Sequence, residues 1–381
     1  MATTITSGVQ YSGIWNLSSQ ASAVALTTWT GLPQLFSWGG NAQGQLGEGT
    51  TTNRSSPVQV GALTSWLTLA GGSNHAIVIK TDGTLWTWGY NVYGQLGDGT
   101  TTNRSSPVQV GALTTWSTVE AGGGHSLAIK TDGTLWSWGQ NAYGALGLGN
   151  VTYYSSPKQV GALTAWLKVA CGNYFSIATK TNGTLWAWGQ NNSGQLGLGN
   201  ITYYSSPKQV GALTTWSVIA GGAAFMAALK NNGTLWTWGA NPNGQLGDGT
   251  ITSRSSPVQV GALTTWSTLS CGSQQMIAVK TDGTLWTWGR NANGQLGLGN
   301  TTDYSSPKQV GALTNWLNVA AGQYYMLVTK TDGTLWSWGR NQLGQLGLGN
   351  ITNYSSPKQV GALVTWSKIA AGGTFAVAIK T

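Results

Sequence analysis

Charged side chains are scarce in this chain of 381 residues, of which only 7% are Asp, Glu, Lys or Arg. Basic residues outnumber acidic ones by 18 to 9, so the formal net charge is +9. No run of Lys or Arg interleaves with aromatic residues, as a nucleic-acid surface would require. Seven of the thirteen lysines instead recur at one position of an internal repeat. We therefore expect that nucleic acid is not the partner.

Histidine, cysteine and acidic residues, on which most catalytic and metal sites depend, are also few. His75 and His125 occupy equivalent positions of neighbouring repeats, and Cys171 and Cys271 occupy equivalent positions two repeats apart. This spacing gives no zinc motif. It also places the two thiols beyond disulfide reach, so we predict that both cysteines fill the core. Four of the nine acidic residues stand in Asp-Gly turns, where Asp favours the turn geometry. The sequence therefore predicts no enzyme, no metal site and no cofactor.

Long apolar stretches are missing as well. No uninterrupted apolar run approaches the length of a membrane-spanning helix, so we expect no membrane insertion. The first charged residue is Glu48, so the N-terminus lacks the basic region that begins a secretory signal peptide. Together these two absences predict a protein that is made in the cytoplasm without a signal peptide.

Glycine and tryptophan, in contrast, are abundant, with 57 and 22 residues. Much of both belongs to a repeat whose copies contain stretches such as Lys80-Thr-Asp-Gly-Thr-Leu-Trp-Thr-Trp-Gly89. Trp-Gly, Ser-Ser-Pro and Gly-Ala-Leu recur in step every fifty residues, through seven copies without insertions. Such a period indicates one repeat domain in place of several independent domains.

Each repeat divides into four short strand candidates. In one copy, Leu85–Gly89 places two tryptophans on one face, and Pro107–Val110 begins with a proline that is typical of an edge strand. Ser117–Ala121 and His125–Lys130 follow, and an Asp-Gly pair then predicts a tight hairpin into the next copy. Four antiparallel strands repeated seven times predict an all-β fold, a seven-bladed β-propeller of four-stranded blades.

The ends of the chain predict how the ring closes. The last copy lacks two strands, and the first copy has the same two left over, so residues 34–60 and 366–380 should combine in one closing blade. The propeller domain would then span residues 34–381. Residues 1–33 lie outside the repeat, and their pattern predicts an extended arm followed by a short helix over about residues 17–28.

A further signature runs through the copies: Trp88-Gly-x-Asn91-x-x-Gly94-Gln95-Leu96-Gly97, then Pro107, Val119-x-Ala121-Gly122 and His125-Ser-Leu-Ala128. It resembles the repeat of the regulator of chromosome condensation family, and the match covers Gln34–Thr381. The resemblance implies a seven-bladed propeller with the Val119–Gly122 strand innermost in its blade. The eukaryotic founder of that family is a nucleotide exchange factor for a small GTPase and sits on chromatin. Its activity depends on asymmetric insertions that this regular chain lacks, so we expect no exchange activity.

A second resemblance lies in the N-terminal segment, which contains Tyr11-Ser-Gly-Ile14-Trp15-Asn-Leu17 followed by Ala23 and Trp29. It is similar to a short Gly-x-Trp-x-Leu…Ala…Trp segment of bacteriophage tail-fibre and other virion proteins, cyanophages included. The resemblance implies docking to other virion proteins through residues 1–33. A terminal plug packed on the propeller is the alternative. The candidate docking residues are Tyr11, Ile14, Trp15, Leu17 and Trp29.

Differences among the seven copies fall on one face of the predicted disc. With the strand order that the resemblance implies, the turn after the innermost strand and the long loop before Ser-Ser-Pro share this face. Its variable positions favour Tyr, Arg, Gln and His, and Tyr and Arg anchor many interfaces. Drift of solvent-facing loops would give the same pattern. The candidate partner-binding residues are Tyr90, Tyr93, Tyr143, Tyr153, Tyr154, Tyr174, Tyr203, Tyr204, Arg290, Tyr324, Tyr325 and Arg340.

These features together predict a non-enzymatic bacteriophage virion protein, localised to the particle surface or tail as a tail fibre, an adhesin or a decorating propeller. It would dock through its N-terminal arm, act within a multimeric assembly, and present the variable face to a host surface protein or glycan. One alternative is a cellular module of the chromosome-condensation type that binds protein or DNA. Another is a lectin-like glycan binder. Neighbouring virion genes, steep salt dependence or repeated weak sugar sites would distinguish the three.

Overall fold

The computed structural model describes residues 32–363 and 365–381. The predicted arm and helix lie outside the described residues, together with the docking candidates Tyr11, Ile14, Trp15, Leu17 and Trp29. Within the described ranges the chain consists of strands, turns and loops, without a helix.

The strands are β1 Gln34–Gly39, β2 Arg54–Thr64, β3 Trp66–Gly71, β4 His75–Lys80, β5 Leu85–Gly89, β6 Arg104–Gln109, β7 Trp116–Ala121, β8 His125–Lys130, β9 Leu135–Gly139, β10 Tyr154–Gln159, β11 Trp166–Cys171, β12 Phe175–Lys180, β13 Leu185–Gly189, β14 Tyr204–Gln209, β15 Trp216–Gly221, β16 Phe225–Lys230, β17 Leu235–Gly239, β18 Arg254–Gln259, β19 Trp266–Cys271, β20 Gln275–Lys280, β21 Leu285–Gly289, β22 Tyr304–Gln309, β23 Trp316–Ala321, β24 Tyr325–Lys330, β25 Leu335–Gly339, β26 Tyr354–Gln359, β27 Trp366–Ala371 and β28 Phe375–Lys380.

These strands form seven four-stranded antiparallel sheets, which are the blades of a propeller. Six blades use consecutive strands: blade I is β3–β6, blade II is β7–β10, blade III is β11–β14, blade IV is β15–β18, blade V is β19–β22 and blade VI is β23–β26. The first strand of each blade lines a central channel, and the fourth lies at the rim. The prediction of an all-β seven-bladed propeller is thereby confirmed.

Blade VII closes the ring with strands from both ends of the chain, in the order β2-β1-β28-β27. Strand β1 pairs with β28 in antiparallel register from Gln34 opposite Lys380 to Gly39 opposite Phe375. Strands β27 and β28 supply the inner half of the blade, and β1 and β2 supply the outer half. This arrangement confirms the closure predicted from the two incomplete copies.

The repeated Trp-Gly and Gly-Gln-Leu-Gly motifs meet at the joints between blades. Trp88 is fully buried, and its Nε1 donates to the backbone oxygen of Gln45 in the preceding blade at 2.9 Å. Gly47 adopts φ +71°, and a Cβ there would lie 2.7 Å from Nε1 of the same indole. Only glycine fits this approach. Loss of one such tryptophan to alanine should cost roughly 3–5 kcal/mol.

The repeated Lys-Thr-Asp-Gly-Thr-Leu-Trp stretch forms a self-contained turn. In blade II, Asp132 accepts hydrogen bonds from Thr134 N at 2.9 Å and Thr134 Oγ1 at 2.6 Å, and these bonds lower the pKa of Asp132. Thr134 Oγ1 in turn accepts from Trp136 Nε1 at 2.9 Å. The Lys130 ammonium lies 3.8 Å from the centroid of the Trp136 ring, a cation–π contact. These contacts explain why the turn scarcely varies.

Candidate binding surfaces

The alternating strand directions give the disc two faces. On one face the backbone N–H of Tyr90, at the start of a long loop, donates to the carbonyl of Asn74 in the turn after the inner strand at 2.8 Å. On the other, Thr81 N donates to Ser65 O at 2.8 Å and ties the Lys-Thr-Asp-Gly turn to the connection between blades. We call the first the loop face and the second the turn face. The predicted division of the connections is confirmed.

Two clusters of tyrosines lie on the loop face of blades I to III, and we call them together the tyrosine sector. The Tyr93 ring makes edge-to-face contacts with Tyr90, at 5.9 Å between centroids, and with Tyr153, at 5.8 Å. Tyr143 makes the same contacts with Tyr174 at 5.3 Å and with Tyr203 at 5.6 Å. Each cluster spans the loops of two adjacent blades. Tyr143, Tyr153 and Tyr203 are exposed, by 36%, 42% and 43%.

A different cluster, formed by Arg290, Tyr324 and Arg340, lies on the loop face of blades V and VI, and we call it the arginine sector. The guanidinium carbons of Arg290 and Arg340 lie 5.4 Å and 5.9 Å from the centroid of the Tyr324 ring. Arg290 Nη1 donates to Gln274 Oε1 at 2.7 Å, and Arg340 Nε donates to Gln342 Oε1 at 2.9 Å. Within residues 32–363 and 365–381, neither arginine forms an ion pair.

Tyr325 does not belong to this surface, and its prediction as a partner-binding residue was wrong. It is the first residue of β24 and is fully buried, whereas its neighbour Tyr324 ends the preceding turn. The Tyr325 hydroxyl donates to the carbonyl of Phe375 in blade VII, and burial raises the pKa of the phenol. The strand begins at Tyr325, whose side chain lies in the joint, whereas Tyr324 remains in the turn on the loop face.

Tyr154 and Tyr204 have a structural role at the rim and are not part of the tyrosine sector. Both are half-buried at the start of an outer strand. Asn150 Nδ2 donates to the Tyr154 hydroxyl at 3.4 Å, and the Lys158 ammonium lies 5.5 Å from the ring centroid. Tyr204, Tyr304 and Tyr354 repeat both contacts in their own blades.

Blades I, IV and VII have an ion pair at the place of this tyrosine. Arg104 Nη2 lies 2.8 Å from Asp98 Oδ2, and Arg254–Asp248 and Arg54–Glu48 are equivalent. Wherever the tyrosine is present, leucine replaces the acidic residue, as Leu148 does in blade II. The seven copies therefore use two alternative sets of residues at one site. This exchange is visible in the sequence, although our sequence analysis missed it.

His75 and His125 lie in the joints between blades I, II and III. His75 Nε2 lies 3.0 Å from Ser126 Oγ, which itself donates to the carbonyl of Gln95 at 2.8 Å. Because the serine proton is committed to that carbonyl, His75 must donate from Nε2. His125 and Ser176 repeat the arrangement at 2.9 Å. Burial lowers the pKa of His75 to about 3, with the charge of His125 adding to the shift, and that of His125 to about 4. Both histidines are therefore buried, hydrogen-bonded parts of the joints between blades.

The central channel holds two cavities of about 260 Å³ each, one at the loop-face mouth and one deeper. Glu120 lines the deeper one, where the other blades have alanine or serine. Burial raises the pKa of Glu120 to about 8. Cys171 and Cys271 line both cavities, are free and buried as predicted, and have thiol pKa values raised by burial.

The described part of the chain contains no group of three or more His, Cys, Asp or Glu residues that could hold a metal ion. No helix among residues 32–363 and 365–381 is long and apolar enough to cross a bilayer. The turn face carries a ring of leucines that are 39–51% exposed, which the sequence analysis did not single out. These leucines are Leu63, Leu113, Leu163, Leu213, Leu263, Leu313 and Leu363.

Known proteins share this architecture. The profile described as Regulator of chromosome condensation (RCC1) repeat matches residues 34–79, 82–129, 132–179, 182–229, 232–279, 282–328 and 332–379. Human WBSCR16 superposes with a TM-score of 0.82 at 23% identity, covering 92% of this chain and 99% of its own. Among proteins of curated function, none matches the chain by sequence.

Two yeast structures are similar to the same extent. Prp20p from Saccharomyces cerevisiae, described with its binding properties to Gsp1p and histones, has a TM-score of 0.82 at 20% identity and covers 93% of this chain and 92% of its own. A structure of Kap60 bound to yeast RCC1 (Prp20) gives 0.82 at 19% identity, covering 92% and 89%. At these identities the superpositions establish the fold.

Proposed function

The chain belongs to the regulator of chromosome condensation (RCC1) repeat family, and from this premise we propose that it is a non-enzymatic platform that binds a protein partner through its tyrosine sector. One observation carries the proposal: six tyrosines of blades I to III form two clusters on the loop face. Structures of the same fold are described with protein partners, namely Gsp1p and histones for Prp20p and Kap60 for yeast RCC1.

The chemistry of the tyrosine sector favours a protein. Tyrosine combines a large apolar ring with a polar tip and has few rotatable bonds, so it loses little entropy on binding. The edge-to-face contacts within each cluster hold the rings before a partner arrives, which lowers the cost of ordering them. Tyr143, Tyr153 and Tyr203 offer exposed ring surface to a partner that spans blades I to III.

The test uses substitutions that other copies already contain. Asn occupies the position of Tyr93 and Tyr143 in blades IV and V, as Asn243 and Asn293, and it occupies the position of Tyr153 in blade I as Asn103. The variant Y93N/Y143N/Y153N should therefore fold normally. Changing three of the leucines of the turn face to threonine, L113T/L163T/L213T, gives the matched control on the opposite side.

The wild type and both variants are immobilised on a resin and incubated with a cell extract. The amounts of each protein retained by the three resins are then compared. A protein retained by the wild type and the leucine control, and reduced at least tenfold by the tyrosine variant, supports the proposal. A protein that all three retain equally would place the interface elsewhere. Retention that is lost only with the leucine variant would assign the partner to the turn face.

The second candidate setting is a phage particle, favoured by the segment from Tyr11 to Trp29, which resembles virion proteins. In this setting residues 1–33 dock the propeller, and the loop face is directed to a host surface protein or glycan. The measurement is cosedimentation of the full chain with purified phage particles, compared with W15A/L17A. Loss of cosedimentation in that variant supports docking by the arm. If neither the full chain nor the variant cosediments with the particles, the phage setting is excluded.

A further inference from the structure

The arginine sector contains two guanidinium groups that form no ion pair within residues 32–363 and 365–381. Arg290 and Arg340 both lie within 6 Å of the Tyr324 centroid, although they come from adjacent blades. Asp303 is the carboxylate on the long loop after Arg290, but it accepts from the backbone N–H of Asn291 at 2.6 Å and forms no ion pair with Arg290. Two guanidinium groups beside one ring repel each other, and an anion that contacts both would relieve this repulsion.

Both guanidinium groups are held in place by neutral acceptors. Gln274 Oε1 accepts one hydrogen bond from Arg290, and Gln342 Oε1 accepts from Nε and Nη2 of Arg340. A glutamine oxygen orients a guanidinium but does not neutralise it. Because a guanidinium carries five N–H donors, each arginine keeps donors for a ligand. The ring of Tyr324 lies within 6 Å of both guanidinium carbons.

We propose that the arginine sector is a binding site for a phosphate monoester, with Arg290 and Arg340 as its ligands and Tyr324 beside them. A phosphate monoester carries close to two negative charges at neutral pH and has three terminal oxygens, so two guanidinium groups can each bind it through paired N–H donors. A carboxylate or a phosphodiester supplies one charge and fewer oxygens. The site stands on the arginine sector alone and goes beyond the function proposed for the tyrosines.

The same chain contains a neutral counterpart of this site. Gln140 and Gln190 occupy the positions of Arg290 and Arg340, and Tyr174 occupies the position of Tyr324. The tyrosine is therefore retained while both arginines are replaced by glutamine. The variant R290Q/R340Q converts the site into the residues already present between blades II and III, so its fold should be preserved.

The experiment is calorimetric titration of the full chain with O-phosphoserine at low ionic strength, with inorganic phosphate and acetate in parallel. We expect one saturable site per chain, with phosphoserine and phosphate bound more tightly than acetate. Each arginine should contribute roughly tenfold in affinity, so R290Q/R340Q should weaken binding by about a hundredfold. The control K158Q/K208Q removes the same charge from the rim and should bind like the wild type.

Three outcomes would overturn the proposal. These are an absence of saturable phosphoserine binding by the wild type, equal losses in R290Q/R340Q and K158Q/K208Q, and tighter binding of a single-stranded oligonucleotide than of a phosphoserine peptide. The last would assign the arginines to nucleic acid. Tighter binding of free phosphate than of that peptide would be a fourth such outcome, because it would identify a site for a small ion. Phosphoserine binding by Y93N/Y143N/Y153N should be unchanged. The proposal for the arginine sector is therefore tested independently of the proposal for the tyrosine sector.

Discussion

Acid should destabilise this propeller through its two buried histidines, and the effect of His75 can be isolated with one substitution. His75 is completely buried and donates from Nε2 to Ser126 Oγ. Its Nδ1 finds no hydrogen-bond partner among the described residues. A second proton would therefore place a charge on a buried atom without an acceptor, which is why the pKa of His75 falls to about 3.

The magnitude follows from proton linkage. In the unfolded chain the imidazole titrates near its ordinary pKa of 6.5, whereas in the folded chain it titrates near 3. The folded state is therefore favoured by the full contribution of this group above pH 6.5, and the contribution is lost as the pH falls from 6.5 toward 3. Between pH 7 and pH 4 the loss amounts to about 3 kcal/mol. His125, with a folded pKa of about 4, loses a similar amount over the same interval.

The substitution is His75→Gln, because blade V already has glutamine at this position. Gln275 donates from Nε2 to the carbonyls of Gly322 at 3.0 Å and Gln323 at 3.1 Å. Glutamine takes up no proton in this range, so the variant should gain about 3 kcal/mol relative to the wild type between pH 7 and pH 4. Subtracting the two stability profiles cancels the titrating groups that do not interact with His75, including Glu120, whereas His125 interacts with His75 and does not cancel completely.

The assay is urea unfolding followed by tryptophan fluorescence from pH 7.5 to pH 4. The reverse change, Gln275→His, should add acid sensitivity to a blade that lacks it. If the difference between wild type and His75→Gln stays constant across this range, His75 is not held neutral by burial. The reasoning from the Ser126 hydrogen bond would then be refuted.

Other predictions test the channel, the rim and the ring closure. Glu120→Ala should stabilise the protein by about 2 kcal/mol at pH 7, because a carboxyl whose folded pKa is raised to about 8 weakens folding above its ordinary pKa of 4.5; a gain that persists undiminished at pH 4 would contradict this. Asp98→Leu should cost about 1 kcal/mol by isolating Arg104. Adding Thr100→Asn, Arg104→Tyr and Val108→Lys should restore most of the thermal stability by completing the tyrosine set, and no recovery would refute the exchange. Deletion of residues 366–381 removes β27 and β28, so calorimetry should show loss of the cooperative transition, and one sharp melt would contradict closure by the termini.

The sequence by itself determined the architecture, because its determinants are local and repeated seven times. Tryptophans alternating along one strand, an Asp-Gly turn and a proline at the edge specify one blade within fifty residues. Two incomplete copies at the ends were enough to predict the closing blade. The assignment of the variable loops to one face followed from strand direction together with the strand order that the family resemblance implies.

The tertiary structure decided which side chains of different copies meet. His75 and Ser126 are 51 positions apart, and Arg290, Tyr324 and Arg340 come from two blades. Adjacent tyrosines 324 and 325 look equivalent in the sequence, yet one faces the loop side and the other lies in a joint. Local propensity specifies a blade, but contacts across a joint depend on how neighbouring blades pack around the channel. The proposed binding surfaces lie at those joints, so the complete ring was needed to show which residues compose them.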